Sequence, residues 1–296
     1  MGSFLFRANG LALGGELFVL DATGEVSRAR RTAILSEGSF LLPNTGGQAT
    51  SALQNFSYAG ISIARASGAA DGRRIGNYDR PTSYETSLQL SVQGLDIFGL
   101  LQVERLALRL TSSHPGPPAR TADLGDADLA IRVEECSIEG LRVSGAPVTL
   151  DQERPALFRG PLATHAGIVA EARRSKRNVA GRAALDTLLF SGGKLAAGRV
   201  PEGLVIKSGP KAGGDRTHDE QGCMIVVPGL GTVYVGEVIS TKESRRVNLL
   251  RVEVRRPLPG SAASASGTRS SKKKDGETEQ GQILVGGAEI NGSTYP

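Results

Sequence analysis

The stretch YETSLQLSVQGLDIFGLLQVERLALRL, residues 84–110, decides the fold class. Leu88, Leu90 and Val92 alternate with Ser87, Gln89 and Ser91, the period-two pattern of a half-buried strand. At Gly94 the parity breaks, and the apolar set moves from even positions to odd ones, Leu95 and Ile97. It breaks back in the next strand, where Leu106, Leu108 and Leu110 alternate with Arg105, Ala107 and Arg109. A one-residue slip turns every later side chain to the other face, so a glycine at the break reads as a bulge or a sheet corner.

Working outward, the same skeleton recurs in SYAGISI (57–63), SVQGLDI (91–97) and SIEGLRV (137–143). In each, the apolar parity switches at the glycine: Gly60, Gly94 and Gly140. The copies are unequally spaced, which excludes a solenoid array and leaves a repeated bulged strand, used where a sandwich or barrel turns a corner. Composition agrees. The 296 residues hold 39 glycines with no collagen-like period, as many short strands joined by tight turns require.

In chain order, residues 3–20 read as two short strands around a Gly14-Gly15 turn, and residues 65–83 and 111–128 as exposed loops. Residues 166–190 read as the one helical excursion, with Ile168, Ala172, Val179, Ala183 and Leu188 on an apolar stripe. Residues 224–240 read as a hairpin turned at 228–231, and 247–256 as a strand with Leu250, Val252 and Val254 inward. Residues 260–282 lack apolar anchors and read as a flexible linker, followed by a C-terminal strand over 283–296 with Ile283, Val285 and Ile290 as its apolar, interaction-forming residues. The expectation is thus an all-β protein: an antiparallel sandwich or barrel over 1–258, the linker, and a tethered strand.

The segment SVQGLDIFGLLQVERLALRLTSS (91–113) resembles uncharacterised bacterial secreted β proteins of the choice-of-anchor kind. Where those carry a Thr-Ala-Asp-like triplet, this chain reads Val103-Glu104-Arg105. The resemblance implies an all-β fold and no activity.

Candidate chemistry is sparse. Asp215, His218, Asp219, Glu220 and Cys223 crowd one loop, and such residues can hold a divalent metal or pair a thiol with an imidazole. Their spacing matches no zinc pattern, so the reading is a polar connection and no metal or cofactor is expected. His114 and His165 read as a solvated loop residue and a residue preceding the helix. There is no Walker A loop, because Leu188 stands where the upstream glycine belongs and Leu195 where Ser or Thr is needed. No Gly-x-Ser-x-Gly elbow occurs, and Glu134 and Glu135 fall on opposite faces of their strand.

The formal net charge is +5, with basic clusters at Arg28/Arg30/Arg31, Arg73/Arg74, Arg173/Arg174/Lys176/Arg177, Arg245/Arg246 and Lys272–Lys274. Nucleic-acid binding would interleave aromatics with these for stacking, and aromatics are only 4% of the chain. Cys136 and Cys223 read as unpaired core thiols. No apolar run reaches the length of a membrane-spanning helix and no signal peptide is recognised, so a cytoplasmic location is the default expectation. The function expected is a non-catalytic structural or interaction protein that assembles with itself or a protein partner through sheet edges and the tethered strand. A polyanion or nucleic-acid binder using the arginine clusters, and a metal-dependent enzyme built on the His218 loop, are the alternatives.

Overall fold

The computed structural model describes residues 4–20, 33–77, 81–116, 130–151, 167, 170, 184–188, 190, 192–195, 201–207, 223–241, 244–258 and 277–294. Alternation of apolar and polar residues over these segments makes strands, and the strands form two antiparallel sheets packed face to face. In chain order they are β1 (Phe4–Leu20), β2 (Ala33–Glu37), β3 (Phe40–Leu41), β4 (Gly47–Tyr58), β5 (Ile61–Gly76), β6 (Pro81–Ile97), β7 (Leu101–Pro115), β8 (Ala130–Glu139), β9 (Arg142–Val143), β10 (Ala146–Leu150), β11 (Ala184–Leu188), β12 (Gly193–Leu195), β13 (Val205–Lys207), β14 (Met224–Val227), β15 (Gly231–Thr241), β16 (Ser244–Pro257) and β17 (Thr278–Thr294). The first sheet runs β13-β14-β15-β16-β17-β1-β2, with β11 on β15 and β3 on β1. The second runs β12-β10-β9-β7-β6-β5-β4, with β8 on β7. The inward residues of β1 and β17 pack on those of β5, β6 and β7 to close a sandwich core.

The parity breaks are organised across whole sheets. In the second sheet the ladder pairs Gln54 with Arg65 and Phe56 with Ile63, Arg65 with Gln93 and Ile63 with Leu95, Gln93 with Arg105 and Leu95 with Val103. Asn55, Ala64, Gly94, Glu104 and Gly140 therefore lie on one line across five strands or strand ends, and register is kept on both sides of it. Every second strand crosses the line on a left-handed residue: Asn55 at φ 52°, Gly94 at 62° and Gly140 at 64°. The first sheet does the same along Gly38, Ala12, Gly286, Leu249 and Gly236. There the left-handed residues are Gly38 and Gly286 at φ 64° and Gly236 at 69°. The sequence pattern suggested a bulge or a sheet corner at each glycine. The structure has a shared reversal of pleat instead, in which partner strands flip together.

Other readings change as well. Gly60 sits in the two-residue turn joining β4 to β5, where Ala59 (φ 50°) and Gly60 (φ 80°) give the mirror-image turn that hairpins favour. The parity change from Phe56 and Tyr58 to Ile61 and Ile63 is that of the hairpin itself, which sets Tyr58 opposite Ile61, and the break of pleat within β4 lies at Asn55. Residues 4–20 form one strand: Gly15 (φ 139°) marks a close crossing, since a Cβ there would lie 2.0 Å from the Gln282 carbonyl oxygen. Most of 65–83 is β5 and β6, glycine-rich because Gly68 and Gly72 leave room for the rings of Phe40 and Phe6. His114 lies in β7 and is buried, its ring edge-on to Phe4 at 4.9 Å. Of the expected helix, Gly167 and Ala170 are helical, residues 184–188 are a strand hydrogen-bonded along β15, and the remainder of 166–183 lies outside the described residues. The free backbone groups of β15 beyond β14 override the weak helical stripe of that segment.

Gly94 has a double constraint, because its φ is 62° and an added Cβ would lie 2.7 Å from the Ala64 Cβ. Gly99 (φ 68°) would meet nothing within 4 Å. Gly94→Val is expected to lower the unfolding free energy by about 3 kcal/mol and Gly99→Ala by about 1 kcal/mol. Urea titration of both variants checks the ranking, and equal losses would mean that the pleat line is not under steric control.

Candidate interaction edge

Among the described residues each sheet ends in edge strands that lack a strand partner on one side, and edges of this kind are usually blunted by charge. Most described edges follow the rule. β2 ends in Glu37, β8 carries Arg132, Glu134, Glu135 and Glu139, β11 contains Asp186, β12 Lys194 and β13 Lys207. β3 is two residues long. β4 breaks the rule: it is the longest edge strand, GQATSALQNFSY, and carries no charge. The uncharged run extends over residues 38–64 in a chain that is 22% charged.

No residue of β4 is buried. Gln48, Thr50, Ala52 and Gln54 point to solvent, while Ala49, Leu53 and Phe56 lean half-buried against the core. β4 ladders with β5 on one side, and on the other side it has no strand partner among the described residues. β2 and β3 form the neighbouring margin of the facing sheet. Ile34 (73% exposed) lies in β2, Leu41 (67%) in β3, and Tyr58 (48%) ends β4.

The residues singled out from sequence fall elsewhere. Ile283, Val285 and Ile290 are fully buried in β17, which begins at Thr278 and lies in the middle of the first sheet between β16 and β1. Leu258 N–H donates to the Glu277 carbonyl at 3.0 Å, so β16 and β17 are the two arms of one hairpin. Asp215, His218, Asp219, Glu220 and His165 lie outside the described residues, as do Arg173, Arg174, Lys176 and Arg177. Among the described residues no three His, Cys, Asp or Glu side chains come together to hold a metal ion. No helix of the described residues is long and apolar enough to cross a membrane.

Several described arginines are engaged with carboxylates. Arg73 meets Glu85 at 3.0 Å, Arg105 meets Glu139 at 3.2 Å, Arg109 meets Glu134 at 3.2 Å and Arg246 meets Glu289 at 3.2 Å. Arg251 donates from Nε to Glu237 Oε1 at 2.6 Å, bonds Glu253, and stacks on the Tyr234 ring at 3.7 Å. Asn248 donates to the other oxygen of Glu237 at 2.8 Å. Burial pulls the Arg251 guanidinium down, but the Glu237 carboxylate beside it carries the balance upward. The alternation within 231–256 shows these residues singly; their buried polar cluster depends on a cross-strand register that the sequence does not display.

Cys136 and Cys223 are free and buried. Burial, helped by the charge of Asp151, pushes the Cys223 thiol up to about 12. The folded state therefore favours the protonated thiol: its contribution is intact below the ordinary value of 9.0 and is lost as pH rises from there toward 12. Iodoacetamide at pH 8 is expected to leave Cys223 unlabelled in the native protein and to label it after denaturation, read by peptide mass spectrometry. Rapid native labelling would contradict the buried, neutral thiol.

Removing Arg251 would leave the Glu237 carboxylate, 4% exposed, without its cation. Arg251→Ala is expected to cost about 3 kcal/mol, as for breaking one partner out of a buried pair. Glu253 is 50% exposed, and Glu253→Ala is expected to cost about 0.5 kcal/mol. Chemical denaturation of the two variants tests the order.

Comparison with curated proteins gives no match. Among solved structures, the outer membrane protease OmpT from Escherichia coli aligns over 97% of this chain and 96% of its own at 9% identity, and its TM-score of 0.13 carries no argument about fold or function. The family described as Domain of unknown function (DUF8256) matches residues 4–188, from the start of β1 to the end of β11 and including all of β4. The chain belongs to that family.

Proposed function

We propose that this chain is a non-catalytic structural or interaction protein whose working surface is the free edge of β4, onto which a partner adds a strand. The observation that carries this reading is the contrast between edges: charge on every other described edge strand longer than two residues, none on the twelve residues of β4. An edge without charge is a template for strand addition, in which backbone hydrogen bonds supply affinity and alternate side chains supply register. Tyr58, 48% exposed at the end of β4, adds apolar area to the strand itself. The ion pairs made by Arg73, Arg105, Arg109, Arg246 and Arg251 weigh against a polyanion site on these sheets, because such a site needs cations free for phosphate.

The reading requires an edge that is open when the protein is alone. In dilute solution, every second amide of residues 48–54, those directed away from β5, is expected to exchange with deuterium orders of magnitude faster than the amides of β6. Residue-resolved hydrogen exchange measures this. Protection of all the 48–54 amides at the level of β6 would mean that the edge is already covered, and would remove the proposed surface.

A further inference from the structure

Resting on that reading, we infer that the strand added to β4 is β4 of a second copy, joined antiparallel about a two-fold axis at Ser51 to make one continuous sheet through both molecules. Three features of the strand point to a copy of itself. In a two-fold antiparallel pair each half repeats the other, so a charged residue near the axis would face its own kind; β4 has none. A partner strand recognised by charge would need an opposite charge on β4, which is equally missing. An uncharged edge that fits itself is thus more economical than one fitted to an acidic or basic peptide.

The second feature is face matching. Centring the axis on Ser51 sets Ala49 against Leu53 of the second copy and Thr50 against Ala52. The half-buried Ala49 and Leu53 then continue the core face, and Gln48 meets Gln54 on the solvent face. A register shifted by one residue would set the core-facing residues of one copy level with solvent-facing residues of the other.

The third is backbone shape. In the same register Asn55 (φ 52°) of each copy lies opposite Gly47 (φ 101°) of the other. The two positive-φ positions coincide, and the whole regular run 48–54 is free to pair.

The test uses the full chain. Multi-angle light scattering across the micromolar range is expected to give a twofold rise in mass with concentration, and Thr50→Lys/Ala52→Lys, at two exposed positions, is expected to hold the mass at one chain with an unchanged melting temperature. Independently, Ser51→Cys should form a disulfide-linked dimer under mild oxidation, because facing residues of antiparallel strands bring Cα atoms within bridging range. Ser36→Cys on β2 should not. A wild type that stays at one chain throughout, a doubled mass that survives the lysine pair, or a Ser51→Cys variant that does not cross-link while the mass doubles would each overturn the inference. Fast exchange of 48–54 together with a strictly single-chain mass would discard the second copy as occupant and leave the open edge standing.

Discussion

A strand keeps its apolar residues on one side only while its pleat is unbroken, and neighbours in a ladder must break together or lose their hydrogen bonds. That constraint organises this sandwich. Both sheets are long in the strand direction, and both reverse pleat along a single line, with a left-handed residue in every second strand. The two lines are of opposite sense. In the first sheet the consecutive residues that share a face point inward, as Ala12 with Leu13 and Leu249 with Leu250 do. In the second they point outward, as Ala64 with Arg65 and Glu104 with Arg105 do. The core is thus given extra side chains by one sheet where the other withdraws them.

The central position of β17 follows from the same rule. Its Gly286 completes the line between Ala12 on one side and Leu249 on the other, and its Cβ-less backbone clears the Leu249 side chain. Ile283, Val285 and Ile290 then lie in register with the inward residues of β1 and β16. The strand is a structural centre of its sheet, whereas β4 is an edge of the facing sheet among the described residues.

Much of the fold was legible because period two and glycine breaks are local signals. Leu88 to Ile97 gave the strand, the side facing the core and the position of the break. What failed to show was whatever depends on a partner far along the chain. Gly14-Gly15 looks like a turn because two glycines permit one; only the Gln282 carbonyl pressed against Gly15 explains why they stand in an extended strand. The polar, glycine-rich run after Ala64 reads as loop because its glycines make room for Phe40 and Phe6, which come from the facing sheet. The β4 edge did have a local signature, the absence of charge over 38–64, but an absence acquires meaning only once strand order shows which strands are edges. The polar cluster around Glu237 required register as well as order.

The hairpin of β16 and β17 also sets a sequence of events during synthesis. β4 to β7 follow one another as neighbours, so the middle of the second sheet can zip by local hairpins. β1 is made before every other described strand, yet its long ladder is with β17, the last described one in chain order. It carries Phe4, Phe6, Leu13 and Leu17, all buried in the finished sandwich, before its ladder with β17 exists. Until then β1 has only its short ladders with β2 and β3, so completion of the described first sheet waits on β17.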